Sequence, residues 1–284
     1  MTLAIRVMYL VMQTKDSICS QKTSLFCGMK RSSLLFFIIV LFSFSATVPA
    51  WSKPTHAAMN ADSLHTQQLL VVVTDGWNSL QGTLYGFKKH KGEWILQFSN
   101  AVVVGSKGLG VGDGLVQLSI DTAPIKKEGD LKSPAGIFKI GTAFGYASYR
   151  AAKWIKNPYI SATDTLICVD DMHSAYYNKL VNNDSTKKDW KSFEQMHRKD
   201  DYYKWGLFIN HNADKPVSGK GSCIFMHIWE NDHVGTEGCT AMKEDNILKI
   251  LHWINVRLNP ILVQLPKAEY AKLATQYNLP EINF

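Results

Sequence analysis

Two short stretches decide how the chain reads: Gly221-Ser222-Cys223-Ile224-Phe225-Met226-His227-Ile228-Trp229, and then Thr236-Glu237-Gly238-Cys239-Thr240-Ala241-Met242. The first carries an apolar run, Cys223 to Ile228, of the kind that forms a buried strand, and His227 falls near its end. The second brings a Gly-Cys pair just ahead of Lys243-Glu244-Asp245, where a helix is expected to start. Gly238 lets the backbone turn tightly. A helix N-terminus supplies free N–H groups and a partial positive charge, which lower a thiol pKa and stabilise an oxyanion. A neutral imidazole twelve residues upstream is suited to take the thiol proton. Histidine in an apolar strand is more often structural, so spacing alone leaves the two roles balanced.

Outward from this centre the pattern is mostly β. Leu69–Thr74, Thr83–Phe87, Trp94–Phe98 and Ala101–Gly105 read as four strands, with a glycine-bearing turn at residues 88–93. Gly105 to Gly114 holds five glycines without a following GK[ST], so a flexible surface loop is expected rather than a phosphate cradle. Ile137–Ile140, Leu207–Ile209 and Ile261–Leu265 continue the strand pattern. Lys243 to Leu258 has apolar residues at helical spacing and predicts an amphipathic helix. Residues 145–206 differ in texture and read as an elaboration on the β core, with a short helix over 189–199. Lys126, Lys127 and Lys132 read as a solvated face. The expected organisation is an N-terminal extension and signal over 1–50, a linker over 51–68, a catalytic domain over 69–265 and a C-terminal helix over 266–284.

Composition excludes several classes. The 284 residues are 46% apolar and 19% charged, which is ordinary globular usage. The formal charge is +7, but residues 1–50 carry five basic residues against Asp16 alone. The remainder is only mildly basic, so no nucleic-acid partner is expected. Met29-Lys30-Arg31, the apolar run Leu34–Phe44 and the small residues ending at Val48-Pro49-Ala50 describe a secretory signal cleaved near Ala50. That apolar run is short of the ~18–20 residues needed to span a bilayer. The mature protein is therefore expected in the periplasm or cell envelope, without a membrane span; an uncleaved anchor is the alternative.

Export leaves Cys168, Cys223 and Cys239, an odd number. Spacing does not rank their pairings. A Cys168–Cys223 disulfide leaving Cys239 free is the favoured arrangement, and two small buried hydrophobes are the alternative. His227, His233 and Cys239 are spaced six and six, but zinc sites prefer tighter pairs, and neither a metal nor a cofactor is expected. His211-Asn212 lines a cleft or makes a turn.

The paired motif resembles the catalytic segment of the L,D-transpeptidases of the YkuD type, in which a strand His precedes Ser/Thr-x-Gly-Cys. Glu128-Gly129-Asp130 with Ser133-Pro134-Ala135-Gly136 is similar to a second recurrent element of that family, and Cys168-Val169-Asp170-Asp171 with Tyr176-Tyr177-Asn178 resembles a subgroup. The resemblance spans about 69–265. It implies a β-sandwich or barrel-type core, a helix after the catalytic Cys, and action on peptidoglycan stem peptides. It assigns Cys239 as nucleophile and His227 as general base. Thr236 would orient the imidazole through its carbonyl, and the Gly238 and Cys239 N–H groups would face the oxyanion. Ser222, Trp229, His233 and Asn212 are the candidate substrate contacts. The family's Arg two residues after Cys is Ala241 here, which bears on carboxylate recognition. The implied reaction is acyl transfer to an amine. L,D-carboxypeptidase action with the same pair, or a cell-wall binding module without turnover, are the alternatives.

Overall fold

The computed structural model describes residues 64–284. The signal, its cleavage point and most of the linker lie outside them. The elements are β1 (Gln68–Thr74), β2 (Gln81–His90), β3 (Glu93–Val103), β4 (Leu109–Val111), β5 (Ser133–Gly145), β6 (Tyr159–Ser161), β7 (Leu166–Val169), β8 (Lys179–Asn182), β9 (Phe193–Gln195), β10 (Trp205–Ile209), β11 (Phe225–Ile228), β12 (Thr240–Met242), α1 (Glu244–Trp253), β13 (Ile261–Pro266) and α2 (Lys267–Tyr277). The described chain is mostly β. Its main sheet runs β10-β11-β12-β3-β2-β1-β13-β5-β4, with β6 beside β5. Because β10 also pairs with β5, the path closes on itself as a barrel.

Sequence explains the centre of this sheet. Every residue of β1 is buried, as befits a run of leucines and β-branched residues, and β1 lies between antiparallel β2 and parallel β13. Leu70, Val72, Ile137, Phe138 and Val263 share a core with Ile247, Ile250 and Leu251 of α1 and with Tyr270 of α2. Each fully buried side chain of this size contributes about 1.5–3 kcal/mol relative to exposure.

Four expectations are corrected. The two strands at 94–98 and 101–105 are one strand, β3, because β2 continues opposite the polar Ser99-Asn100 and keeps the ladder intact. The glycine-rich stretch is not a loose surface loop. Gly108 is buried with φ +78, and a Cβ there would lie 2.1 Å from the Trp77 carbonyl oxygen, so this packing admits glycine alone. Residues 189–199 form β9 and turns rather than a helix. Trp190 is buried against Ile167 and Val169, and the Lys191 N–H donates to Asp171 at 2.7 Å, which commits the segment to the small sheet β8-β7-β9. Helix α1 stops at Trp253, where Ile254 becomes extended; the Asn255 side chain then accepts from the Arg257 N–H and opens a separate 3-10 turn, Val256–Leu258.

Candidate active site

Strands β11 and β12 run parallel, with Met226 opposite Thr240 and His227 opposite Ala241. Side chains alternate along a strand, so His227, Ala241 and Cys239 share one face, with the Cys on a diagonal from the His. The His227 Nδ1 lies 2.8 Å from the Ile228 carbonyl oxygen. That oxygen can only accept, so the ring carries its proton on Nδ1 and leaves Nε2 as the basic atom. Burial pulls the imidazole down to about 4, with the Arg198 charge adding to the effect, so the ring is neutral at physiological pH.

Cys239 is free, and Cys168 and Cys223 are joined as a disulfide. Cys239 is 7% exposed. It accepts from the Phe225 N–H at 3.2 Å, and its S–H donates to the Cys223 carbonyl at 3.6 Å. Among the described residues no hydrogen bond joins this sulfur to the His227 ring. Burial, reinforced by Glu194, pushes the thiol well above its ordinary range. At rest the site therefore holds a neutral thiol and a neutral imidazole, not an ion pair.

Thr236 holds the turn in a different way from the expected one. Its carbonyl accepts from the Ser106 N–H at 2.8 Å and does not meet the imidazole, which is oriented by Ile228 instead. The Thr236 hydroxyl donates to the Cys239 carbonyl at 2.6 Å and accepts from the Gly238 N–H at 3.2 Å. The Gly238 amide is thus engaged at rest, while the Cys239 amide has no partner among the described residues. Ser133 braces the same carbonyl: it donates to Cys239 O at 2.6 Å and accepts from the Gly105 N–H at 2.8 Å. Gly238 has φ +148, a conformation that favours glycine. A Cβ there would come within 3.6 Å of the Lys126 Nζ. Lys126 is consequently not part of a solvated face. It is buried beneath the turn, bonded to Asp130 and to the Lys127 carbonyl, and its charge favours the thiolate.

His227 and Cys239 open into a cleft of about 680 Å³ that Ser222 and Trp229 also line. The Ser222 hydroxyl donates to Glu128 at 2.7 Å. Asn212 and His233 lie outside this cleft. Asn212, at φ 50, is buried in a turn, where its side chain bonds the Val217 amide and the Val217 and Gly221 carbonyls. His233 is exposed beside Gln81 and Asp232, so the His227, His233 and Cys239 set is not assembled. No cluster of His, Cys, Asp and Glu among the described residues is placed to hold a metal.

The cleft has further residues that motif spacing does not reveal. Glu194, Arg198, Tyr202 and Tyr203 reach it from the elaboration. The Tyr203 hydroxyl donates to Glu194 at 2.6 Å, and its ring packs edge-on to His227 with centroids 5.1 Å apart. Burial raises the Glu194 carboxyl to about 7. The one sequence signal for these residues is the mixed charge and aromatic run Arg198-Lys199-Asp200-Asp201-Tyr202-Tyr203, which has no fixed spacing to the Cys.

No curated protein matches the chain. Among solved structures it is similar to Bd1075 of Bdellovibrio bacteriovorus and to the helical cell shape determining protein Pgp2 of Campylobacter jejuni. Each is 14% identical over 73% of this chain, with a TM-score of 0.33. The alignments cover 52% and 56% of those proteins, so the chain spans about half their length. The family model of the YkuD L,D-transpeptidase catalytic domain matches residues 63–263, which include the whole barrel up to β13, the thiol and the imidazole. On that match the chain belongs to the L,D-transpeptidase catalytic-domain family.

Proposed function

We propose that the protein is an exported cysteine acyltransferase acting on peptidoglycan stem peptides. It cleaves the L,D bond between a diamino acid and a terminal D-Ala and passes the acyl group to an amine. The observation that carries this reading is the placement, in one cleft, of a free thiol and an imidazole whose Nε2 carries no proton and has no hydrogen-bond partner among the described residues.

In the first half-reaction the Cys239 S–H turns from the Cys223 carbonyl to Nε2 of His227. The sulfur attacks the peptide carbonyl carbon as the proton moves. The oxyanion that forms meets the Cys239 N–H, with the Lys126 charge close behind the Gly238 turn. The imidazolium returns its proton to the leaving amine, the C–N bond breaks, and D-Ala departs from a thioester. An acceptor amine then attacks the thioester, gives a proton to His227 and releases the Cys239 sulfur, which regains its proton from the ring. With water as acceptor the same residues give an L,D-carboxypeptidase.

Three features support location outside the cytoplasm. Disulfides such as Cys168–Cys223 persist in oxidising compartments, residues 1–50 carry the pattern of a secretory signal, and the substrate class is a wall component. Among the described residues no helix is long and apolar enough to cross a membrane. The test is incubation with tetrapeptide muropeptides followed by mass analysis. A dimer lacking one D-Ala marks transpeptidation, and tripeptide alone marks hydrolysis. If Cys239→Ala is indistinguishable from the wild-type protein because neither releases D-Ala, a binding module replaces the enzyme.

A further inference from the structure

We infer that Arg198 is the residue that reads the substrate's free carboxylate, and that the carboxylate it takes is the one on the departing terminal residue. The inference rests on the proposed acyl transfer and adds to it the end group of the donor.

The argument begins from what the cleft floor lacks. Ala241, beside His227 on the neighbouring strand, is 1% exposed and offers no charge. The other cleft cation, Lys126, is committed: its side chain is 3% exposed and its Nζ is held by Asp130 at 2.5 Å. Arg198 differs. It lines the cleft with its side chain 39% exposed. Its Nε bonds Asp200 Oδ1 at 3.0 Å and its Nη2 bonds Asp200 Oδ2 at 2.8 Å. Asp200 is itself held by the Tyr202 N–H at 3.1 Å. The guanidinium lies over the Tyr202 and Tyr203 rings, 5.6 and 5.1 Å from their centroids.

A guanidinium has five N–H groups in a planar fork. Asp200 occupies the Nε edge, and Nη1 has no partner among the described residues. The fork is therefore fixed in orientation while one edge remains open, which suits a two-point contact with a carboxylate. Position selects which carboxylate. Tyr203 packs on His227 and underlies Arg198, so imidazole and guanidinium share one wall of the cleft. His227 protonates the leaving amine, which places the leaving residue, and its C-terminal carboxylate, on that wall.

The test compares a tetrapeptide muropeptide with its C-terminal carboxamide, in binding to the Cys239→Ala protein by calorimetry and in turnover by the wild-type protein. The acid should bind at least ~10-fold tighter than the amide, the size expected for a charge-assisted two-point contact. Arg198→Gln should erase that preference by weakening the acid alone, and Arg198→Lys should restore part of it. A preference that survives Arg198→Gln, or a variant that weakens acid and amide equally, overturns the assignment. Turnover without any acid preference overturns the Arg198 inference and leaves the acyl transfer standing. An acid preference without turnover overturns the acyl transfer and leaves Arg198 only as the reader of the terminal carboxylate, and failure of both forms to bind overturns both.

Discussion

The Phe225 amide donates to the Cys239 sulfur across 3.2 Å, and this contact, rather than one to the imidazole, anchors the resting thiol. One hydrogen bond does not offset the burial that opposes the thiolate. Alkylation of Cys239 by iodoacetamide is therefore expected to rise steadily with pH from 7 to 9. A plateau below pH 8, measured by intact mass, would mean a preformed thiolate and contradict the neutral-pair description. Cys239→Ala should lower turnover by at least ~10³-fold while leaving the fold intact.

The imidazole gives a second prediction. With His227 at about 4, activity should fall on its acid side as pH drops through about 4, and show no limb at the ordinary histidine value that is due to this ring. The same shift affects stability. The unfolded ring takes up its proton near 6.5 while the folded ring resists until about 4, so the contribution is complete above 6.5 and is lost as pH falls through that window. NMR titration of the His227 ring, with a midpoint near 6.5, would refute this.

Glu194 has the opposite sign. Its carboxyl is raised from 4.5 to about 7, so the folded protein holds a proton that the unfolded chain releases. The stabilisation is complete below 4.5 and is lost as pH rises to about 7, an effect of about 3 kcal/mol. Glu194→Gln should flatten this slope in urea melts taken at several pH values. It should also speed Cys239 alkylation above pH 7, because the carboxylate that opposes the thiolate is gone. A variant with an unchanged slope and an unchanged alkylation rate would show that Glu194 is not the group responsible.

Two hydroxyls converge on the Cys239 carbonyl, from Ser133 and Thr236. Ser133→Ala leaves that oxygen with one donor and the buried Gly105 N–H with none, at a cost of about 1–3 kcal/mol. Thr236→Ala should lower turnover more than it lowers stability, since it releases the Gly238 amide and loosens the turn that carries Cys239. Thr236→Ser should restore most of the loss. Chemical denaturation alongside D-Ala release separates the two effects.

The barrel was legible where the pattern was local. β1 is a run of leucines and β-branched residues, β13 is a short apolar run, and α1 has apolar residues at helical spacing. The Cys168–Cys223 bond is not ranked by spacing, because pairing depends on distance in the fold. The buried glycine stretch around Gly108 reads as a loop because its partner, the Trp77 carbonyl, is remote in sequence. The site splits along the same line. Cys239 and His227 stand in a short paired motif, while Asn212 and His233, which belong to no such motif, lie outside the cleft. Glu194 enters on β9 of the separate small sheet and Arg198 from the turn that follows it, where tertiary packing alone sets their position. Thr236 braces the Cys239 turn through its hydroxyl, while its carbonyl is taken by the Ser106 amide, a partner remote in sequence.

The Cys168–Cys223 bond encloses the whole stretch that carries Glu194, Arg198 and Tyr203, and fastens it to the residue whose carbonyl holds the Cys239 S–H. A tether of that span removes conformational freedom from the segment before any peptide arrives. The wall of the cleft is then ordered when the chain folds, and an incoming ligand meets a groove already shaped for it.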